Sequence, residues 1–189
     1  MPYENKRTWD FPPQFHVLPK VFDKTECDTA ISYHEDREHM EALAKTGGES
    51  YRNTDLFWLN YNHPPYHWLY DRLYDVSMEF NEKHYQFDIE ECSDLQLARY
   101  GSNQHYDWHT DIGADGYSRR KLSIAVMMSD PKEFDGGALQ FGGGKFTHSA
   151  PVTQGDGVLF PSWIRHRVEP VTRGERWTLV GWWLGPPFR

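Results

Sequence analysis

The sequence predicts a mainly β protein with helices in its first half. Before about residue 94, two stretches repeat apolar residues at helical spacing, whereas after it short apolar runs alternate with turn-forming residues. No helical pattern lies between those later runs, which is typical of an antiparallel sandwich or barrel rather than a parallel sheet with crossover helices. We therefore predict a two-sheet roll braced by N-terminal helices, with a pocket between the sheets for a small ligand or metal ion.

The two helical stretches begin with different signals. Asp23 to Glu26 have the spacing of an N-terminal capping box, and one helical face then carries Cys27, Ala30, Ile31 and His34. The second stretch opens at Pro64-Pro65, and its apolar face carries Leu69, Leu73, Val76 and Phe80. Between them, the aromatic segment 51–61 predicts a strand with Leu56, Trp58 and Asn60 on one face.

The second half of the chain predicts six strands separated by turns rich in glycine and aspartate. The strands cover residues 94–100, 121–128, 138–141, 157–160, 165–171 and 175–184. A chain of 189 residues is the usual size of one domain. We therefore predict a single domain over residues 1–189, with a helical support region over about 1–93 and a roll over about 94–187.

Composition disfavours several classes of protein. The chain has 20 basic and 28 acidic residues, a formal net charge of −8, which disfavours a nucleic acid as partner. Mean hydropathy is −0.79, and no apolar run approaches the roughly 18 residues of a membrane span. Two cysteines cannot form a disulfide framework, and the first seven residues lack the apolar stretch of a secretory signal. We therefore predict a cytoplasmic protein.

Pairs of histidine and acid supply candidate metal ligands. A His-x-acid pair occurs at residues 34/36, 39/41, 105/107 and 109/111, whereas chance alone would produce about one or two. The first two lie in the predicted helical region, where side chains two residues apart point about 200° apart. On a strand, such residues share a face and can converge on one ion. The pairs 105/107 and 109/111 are therefore the candidates.

A third ligand from a distant strand would complete a set of two histidines and one carboxylate, which suits non-haem Fe(II) because coordination positions remain open. Downstream of residue 111, only His148 and His166 remain. Ten residues after His166, Arg176 begins a strand in which Thr178 and Trp182 fall on the same face. A buried arginine with a hydroxyl two residues away can bind a carboxylate.

The segment from about Leu95 to Trp183 resembles the iron- and 2-oxoglutarate-dependent dioxygenases, in particular their prolyl 4-hydroxylase-like branch. The matching positions are Tyr100, Tyr106, His109, Asp111, Gly136-Gly137, His166, Val168, Pro170-Val171, Gly174, Arg176 and Gly181-Trp182. This resemblance selects the pair 109/111 and leaves 105/107 as flanking residues. The first half resembles the family only through Val21-Phe22-Asp23 leading into a helix.

The resemblance implies a double-stranded β-helix, the cupin-like jelly roll, with His109, Asp111 and His166 as catalytic residues that hold Fe(II). It implies that 2-oxoglutarate and O2 are co-substrates, with ascorbate as a reductant. Arg176 would then bind the distal carboxylate of 2-oxoglutarate, with Thr178 and Tyr100 as hydrogen-bond partners. Residues near the ligands in sequence, and so candidates for substrate contact, are Tyr106, Trp108 and Trp182. Met127 departs from the family, because many prolyl hydroxylases have a tyrosine there.

The reaction implied is hydroxylation of an aliphatic C–H bond, with a prolyl residue of a peptide or protein as the expected substrate. A free amino acid or small metabolite is the alternative, and so is a non-catalytic jelly roll that binds metal or ligand. A nucleic-acid demethylase is disfavoured by the charge. We expect no membrane partner, and a monomer or weak dimer. Arg119-Arg120-Lys121 fits a solvated strand start, with a patch recruiting an acidic substrate as the other interpretation.

Overall fold

The computed structural model describes residues 14–35, the backbone of 42–43, and residues 51–187. Strand pairing divides this part of the chain into a large antiparallel sheet, a smaller antiparallel sheet and a separate two-stranded ribbon. The histidine-acid pairs at 34/36 and 39/41 include residues outside the described ranges, and so do the first seven residues. The two-sheet roll with N-terminal helices is the architecture that the sequence predicts.

The two helices begin where their sequence signals place them. Helix α1 (Lys24–Ser32) has a complete capping box, in which Asp23 accepts a hydrogen bond from the Glu26 amide at 2.8 Å and donates its own amide to the Glu26 carboxylate at 2.9 Å. Helix α2 (His67–His84) follows a 3-10 turn at Pro64–Tyr66. In the described ranges, neither helix combines the length and apolar character of a membrane crossing.

The large sheet has eight strands and carries the helices. Its order is β1-β12-β8-β15-β6-β4-β2, with β5 also paired to β15. The ranges are β1 His16–Leu18, β2 Ala42–Leu43, β4 Asp55–Leu59, β5 Glu91–Cys92, β6 Leu95–Tyr100, β8 Arg120–Met127, β12 Gly157–Pro161 and β15 Arg176–Leu184.

The small sheet has five strands in the order β11-β10-β13-β7-β3. The ranges are β3 Arg52–Asn53, β7 His105–His109, β10 Leu139–Phe141, β11 His148–Ser149 and β13 His166–Val168. Strands β9 (Asp135–Gly136) and β14 (Val171–Arg173) form the ribbon. Shorter 3-10 segments lie at 33–35, 115–119 and 144–146.

Two predicted strands are each divided in the structure. The segment 165–171 becomes β13 and the start of β14, because Pro170 has no amide hydrogen to continue the ladder and β14 pairs with β9 instead. The segment 51–61 becomes β3 in the small sheet and β4 in the large sheet. The sequence therefore predicts the extended segments correctly but does not predict the change of sheet within them.

Two apolar clusters lie on opposite faces of the large sheet. One packs the helices against it, through residues such as Leu69 and Leu73 of α2 and Leu179 of β15. The other fills the space between the two sheets and includes Tyr100, Met127, Phe141, Phe160 and Val168. Burying apolar surface on both faces is the main stabilising contribution available to such a sheet. The candidate site lies at the edge of the inter-sheet cluster.

Asp156 ties the segment after β1 to the turn before β12. Its carboxylate accepts hydrogen bonds from the Lys20 amide at 2.9 Å and from the Thr153 amide and hydroxyl at 2.9 and 2.8 Å. Burial raises the pKa of this carboxyl, but the hydrogen bonds from Lys20 and Thr153 lower it more, so that the net pKa lies below 3.8. A carboxyl with a lowered pKa stabilises the fold above its unfolded pKa, and this contribution is lost as pH falls through the folded value.

Asp156→Asn is expected to lower the free energy of unfolding at neutral pH by about 1 to 3 kcal/mol, because an amide group would face donors that need an acceptor. Urea unfolding checks this, and the difference from wild type should shrink below pH 3.8. The control is Asp28→Asn, which breaks an exposed pair with Lys24 and should cost about 0.5 kcal/mol or less. Equal effects of the two substitutions would contradict the assignment.

Candidate metal centre

Two paired strands bring His109 and His166 together. His109 ends β7, His166 begins β13, and the two residues stand directly opposite each other in the ladder. Asp111 follows two residues after β7, and one ligand atom from each of the three side chains lies within 4.8 Å of the others. One carboxylate oxygen is 3.7 Å from Nε2 of His109, and the other is 3.7 Å from Nε2 of His166. The three side chains therefore converge on one point.

Asp111 does not lie on the same strand as His109, although the sequence predicts that the two residues share a strand face. Strand β7 ends at His109, and Asp111 lies in the turn that follows. The backbone amides of Asp111 and Ile112 both donate to the carbonyl of Ser162, at 2.9 and 3.2 Å. The pairing with β13 stops at His109, so the chain turns and attaches to the segment after β12. The carboxylate approaches the imidazoles through this turn and not along a strand face.

Backbone carbonyls fix the orientation of both imidazoles. Nδ1–H of His109 donates to the carbonyl of Asp107 at 2.7 Å, and Nδ1–H of His166 donates to that of Ile164 at 2.9 Å. A carbonyl only accepts, so each ring keeps the lone pair of Nε2 for a metal. Burial, reinforced by the neighbouring His166, holds the pKa of His109 well below its ordinary value. His109 is therefore neutral near pH 7, as a ligand must be.

Asp111 stays ionised although its side chain is only 8% exposed. Burial raises the pKa of this carboxyl, whereas the two imidazoles, a hydrogen bond from Ser123 and the charge of Arg120 lower it more. The donor set is thus two imidazole nitrogens and one carboxylate that converge on one point. This set fits a divalent first-row metal such as Fe(II) and leaves coordination positions open.

Ser123 holds the metal-facing carboxylate. Its hydroxyl lies 2.7 Å from Oδ2 of Asp111 and 3.0 Å from the hydroxyl of Ser162, and Ser123 itself is fully buried on β8. Groups that orient a ligating carboxylate contribute to metal affinity without touching the metal. Ser123 is therefore a positioning residue.

Ser123→Ala is expected to weaken metal binding about 10- to 100-fold, because the carboxylate loses its orienting donor. A competition titration with Mn(II) or Fe(II) measures the effect. The matched control is Ser118→Ala, which removes a hydroxyl that donates to Asp115 in a nearby turn and should leave metal affinity at the wild-type value. Unchanged affinity in Ser123→Ala would show that the hydrogen bond does not orient Asp111 for a metal.

Arg176 is a buried cation with no carboxylate at ion-pair distance among the described residues. It is 2% exposed, its only side-chain partner in the described residues is the Thr178 hydroxyl at 3.4 Å, and its Nε has no partner. Its guanidinium lies 5.3 Å from the ring centroid of Tyr100. Burial lowers its pKa to about 10, which still leaves it charged at neutral pH. A buried arginine is normally paired, so these donors fit an incoming carboxylate.

The Gly136-Gly137 motif makes room for this arginine. A Cβ at Gly137 would lie 2.8 Å from Cδ of Arg176 and 2.9 Å from a methyl group of Val171, and the backbone there has φ +63°. Any side chain would displace the guanidinium or strain the turn. Glycine at 137 therefore serves the packing of Arg176.

A cavity of about 360 Å³ lies in front of Asp111. Tyr106 and Trp182 line it, and the Tyr106 ring stacks on His109 with 3.5 Å between ring centroids. Trp108 does not line it, since its ring lies near the guanidiniums of Arg165 and Arg167, at 5.2 and 4.9 Å. The structure thus brings two of the three aromatic candidates to the cavity.

Met127 lies apart from this cavity, in the inter-sheet cluster. It is 5% exposed and stands opposite Thr178 of β15. A thioether there cannot donate a hydrogen bond. Any hydrogen bonds to a bound carboxylate must therefore come from other residues.

Arg52, Gln96 and Arg120 also line the cavity. Sequence reasoning gives no site role to Arg52 or Gln96, and gives one to Arg120 only through the interpretation as a patch that recruits an acidic substrate. Because Arg120 lines the cavity, the interpretation of this residue as part of a solvated strand start is wrong. The same interpretation holds for Arg119, which forms exposed ion pairs with Glu90 and Glu91. The ladder between β8 and β15 shifts register between Leu122 and Arg120. Such a bulge changes side-chain alternation, so Arg120 reaches the same site as Ser123. No local signal in the sequence marks the bulge.

The fold and the site together define a class: a double-stranded β-helix with a two-histidine, one-carboxylate centre at its edge. The family described as the 2OG-Fe(II) oxygenase superfamily matches residues 95–184. That segment contains the three candidate ligands and Arg176. Residues 95–184, just under half of the chain, are therefore similar to this superfamily.

Two curated relatives are each similar over less than half of the chain. A PKHD-type hydroxylase of Maricaulis maris is 37% identical over 90 residues, which is 48% of this chain and 41% of the relative. One of Sphingopyxis alaskensis is 39% identical over 84 residues, 42% of this chain and 38% of the relative. The chain thus spans about two fifths of the length of the curated relatives that it matches.

Solved structures share the fold over nearly the whole chain. A prolyl-4-hydroxylase of Pseudomonas putida has a TM-score of 0.73 at 20% identity and covers 92% of this chain and 93% of its own. The viral collagen prolyl hydroxylase of Paramecium Bursaria Chlorella virus-1, in complex with 2-oxoglutarate, has a TM-score of 0.69 at 19% identity, with coverage of 92% and 97%. These likenesses confirm the predicted double-stranded β-helix.

Proposed function

We propose that the protein is an Fe(II)- and 2-oxoglutarate-dependent dioxygenase that hydroxylates an aliphatic C–H bond. The observation that carries this proposal is the convergence of His109, Asp111 and His166 within 4.8 Å, with the unpaired guanidinium of Arg176 in the same inter-sheet region. The imidazole of His166 contacts Phe141 and Phe160, which belong to the same cluster as Tyr100 beside Arg176. The similarity of residues 95–184 to the 2OG-Fe(II) oxygenase superfamily supports the same reaction.

Different residues of the site would hold Fe(II) and 2-oxoglutarate. His109, Asp111 and His166 would hold Fe(II), and Arg176 would bind the distal carboxylate of 2-oxoglutarate, with Thr178 and Tyr100 as further donors. Fe(II) with 2-oxoglutarate and O2 supplies the oxidising power for hydroxylation, 2-oxoglutarate leaves as succinate and CO2, and ascorbate serves as a reductant. An arginine suits this role because its planar fork stays charged and binds a carboxylate at two points.

The other residues orient and shield the reacting groups. Ser123 fixes Asp111, and the carbonyls of Asp107 and Ile164 fix the two imidazoles. The rings of Tyr106 and Trp182 form apolar walls of the cavity and would exclude water from the reacting carbon. Excluding water protects a reactive site from side reactions. Positioning and exclusion are thus the chain's own contributions.

A prolyl residue of a peptide or protein is the substrate that we propose. Support comes from the solved structures that share the fold, among them the Pseudomonas putida prolyl-4-hydroxylase and a prolyl hydroxylase from Trichoplax adhaerens in complex with a hypoxia inducible factor peptide fragment. A free amino acid or small metabolite is the second candidate, because the cavity carries charged donors that a neutral prolyl ring would not use.

We also propose that residues 1–189 act as one cytoplasmic domain, as a monomer or weak dimer. One continuous cluster joins the helices to the large sheet, which supports a single domain. Both cysteines of the chain are free, which is usual in a reducing compartment.

Turnover of 2-oxoglutarate tests the proposed reaction. Purified protein with Fe(II), ascorbate and O2 should convert 2-oxoglutarate to succinate, and a proline-containing peptide should gain the mass of one oxygen atom. Zn(II) in place of Fe(II) should support no turnover, because it has no redox chemistry. A protein that binds neither Fe(II) nor 2-oxoglutarate and forms no succinate would be a non-catalytic jelly roll, and the proposal would fail.

A further inference from the structure

Two arginine side chains line the cavity without a counter-ion. In the described part of the chain, no carboxylate lies within ion-pair distance of Arg52 or Arg120, although many other arginines and lysines have one. Both are partly buried. Partly buried cations that lack an anion are costly unless they serve binding.

Aromatic rings hold both guanidiniums in place. Arg120 lies 3.8 Å from the ring centroid of Trp182 and 4.6 Å from that of Tyr117. Arg52 lies 4.3 Å from the ring centroid of Tyr106, and this ring also stacks on the metal-ligand candidate His109. Each arginine is therefore positioned beside a wall of the reaction cavity and is not a mobile surface residue.

Both guanidiniums keep donors to offer. Arg52 donates one bond to the side-chain oxygen of Gln96 at 2.7 Å, but its Nε is buried and has no partner. Arg120 donates one long bond, 3.3 Å, to the backbone carbonyl of Asp111. An arginine has five N–H donors, so most of those on each residue have no partner among the described residues. An anion with two oxygens would satisfy them best.

The charge around the cavity also favours an anion. Among its described lining residues, the one carboxylate is Asp111, which the proposed function assigns to the metal. Asp111 therefore faces two guanidinium charges and the metal, which leaves an excess of positive charge at the cavity. The other walls, such as Leu56, Trp58 and Trp182, are apolar and fit an aliphatic part next to a charged end. The cavity volume of about 360 Å³ suits a ligand of amino-acid size.

We propose that the substrate carries a carboxylate that binds Arg52 and Arg120, close to the C–H bond that is oxidised. This inference rests on the proposed function, because the oxidised carbon is defined by the metal site. The carboxylate comes either from the α-carboxylate of a free amino acid or from an aspartate or glutamate next to the modified residue of a peptide. Gln96 orients Arg52 and is a positioning residue.

Equilibrium binding of matched probes tests the inference. L-proline is compared with L-prolinamide, and acetyl-Pro-Asp-amide with acetyl-Pro-Asn-amide, by calorimetry on protein loaded anaerobically with Fe(II) and 2-oxoglutarate. The acidic member of at least one pair should bind about 10- to 100-fold more tightly, as expected for charge-assisted hydrogen bonds. The pair that shows the preference identifies the source of the carboxylate.

Variants locate the preference in the chain. Arg52→Gln and Arg120→Gln should each abolish it, and Arg52→Lys and Arg120→Lys, which keep the charge but lose the fork, should retain part of it. Arg165→Gln, at an exposed arginine outside the cavity, is the control and should bind like wild type. Equal affinity within both pairs, or a preference that survives both glutamine variants, would overturn the inference.

A second measurement separates this inference from the proposed function. A visible charge-transfer band of Fe(II) with 2-oxoglutarate is recorded on each sample, and the titrations are repeated on metal-free protein, since the arginines belong to the chain. A band without carboxylate preference means that the inference fails alone. Carboxylate preference without a band means that the proposed function fails while the anion site stands.

Discussion

Replacement of Arg176 by methionine is expected to abolish binding of 2-oxoglutarate without destabilising the unliganded protein. The guanidinium is 2% exposed and has no carboxylate partner in the described residues, so the unliganded fold bears the cost of burying a charge. Removing such a charge in favour of an apolar side chain is often neutral or stabilising. The free energy of unfolding should therefore stay unchanged or rise by about 1 to 4 kcal/mol.

The affinity of Arg176→Met for 2-oxoglutarate should fall, whereas its stability should not. A bound dicarboxylate would lose a buried, charge-assisted partner, which costs about 2 to 5 kcal/mol, or roughly 30- to 5,000-fold in Kd. Few roles other than anion binding combine a large loss of affinity with undiminished stability. A purely structural arginine would give the reverse, which is normal affinity and a weakened fold.

Calorimetry with 2-oxoglutarate and urea unfolding of the metal-free protein measure the two effects. Arg173→Met is the matched control, because Arg173 is exposed and pairs with Asp135, and both its affinity and its stability should stay close to wild type. If Arg176→Met binds 2-oxoglutarate normally, the assignment of this residue is wrong.

His109→Ala is expected to weaken Fe(II) binding by at least about 100-fold. Four-ligand zinc sites provide about 10 to 16 kcal/mol, so that one lost ligand costs about 3 kcal/mol. The neighbouring His105 offers a close comparison, since it lies on the same strand and is also followed two residues later by an aspartate. His105→Ala should retain wild-type affinity.

Competition titrations with a chromogenic chelator measure the affinity for both variants, and circular dichroism checks that each is folded. The comparison tests more than the importance of a histidine, because it separates the pair 109/111 from the pair 105/107. Equal losses in the two variants, or a larger loss in His105→Ala, would place the metal elsewhere.

Local signals explain why the helices were predictable. The capping box at Asp23 and Glu26 and the prolines before α2 act within one turn of chain, so the sequence carries the whole cause. Many strand segments were predictable for a similar reason, since alternation and turn residues are local, but β7, which carries His109, is not among the predicted strands. The division of segment 165–171 between two sheets was not predictable from the sequence. This division depends on which distant strand, β9 or β10, offers a free edge.

The candidate site likewise combines features that local sequence signals predict with features that depend on tertiary contacts. The ligand pattern was visible because residue types and spacing are properties of the chain, although Asp111 uses a turn held by Ser162 and not a strand face. The sequence favours a solvated strand start for Arg120, with a recruiting patch as the other interpretation, because the bulge that redirects its side chain arises from the register with β15 and has no local signal. Arg52 carries no motif at all. Residues whose place at the cavity depends on tertiary contacts therefore escape a reading of the sequence.

The assignment of the metal site can be tested by anaerobic titration of the protein with Fe(II) in the presence of 2-oxoglutarate. We expect a visible charge-transfer band that needs both Fe(II) and 2-oxoglutarate and saturates at one iron per chain. The band should be absent in His109→Ala but present in His105→Ala. A wild-type protein that binds both components without forming the band would contradict the claim that 2-oxoglutarate reaches an open metal position at His109, Asp111 and His166.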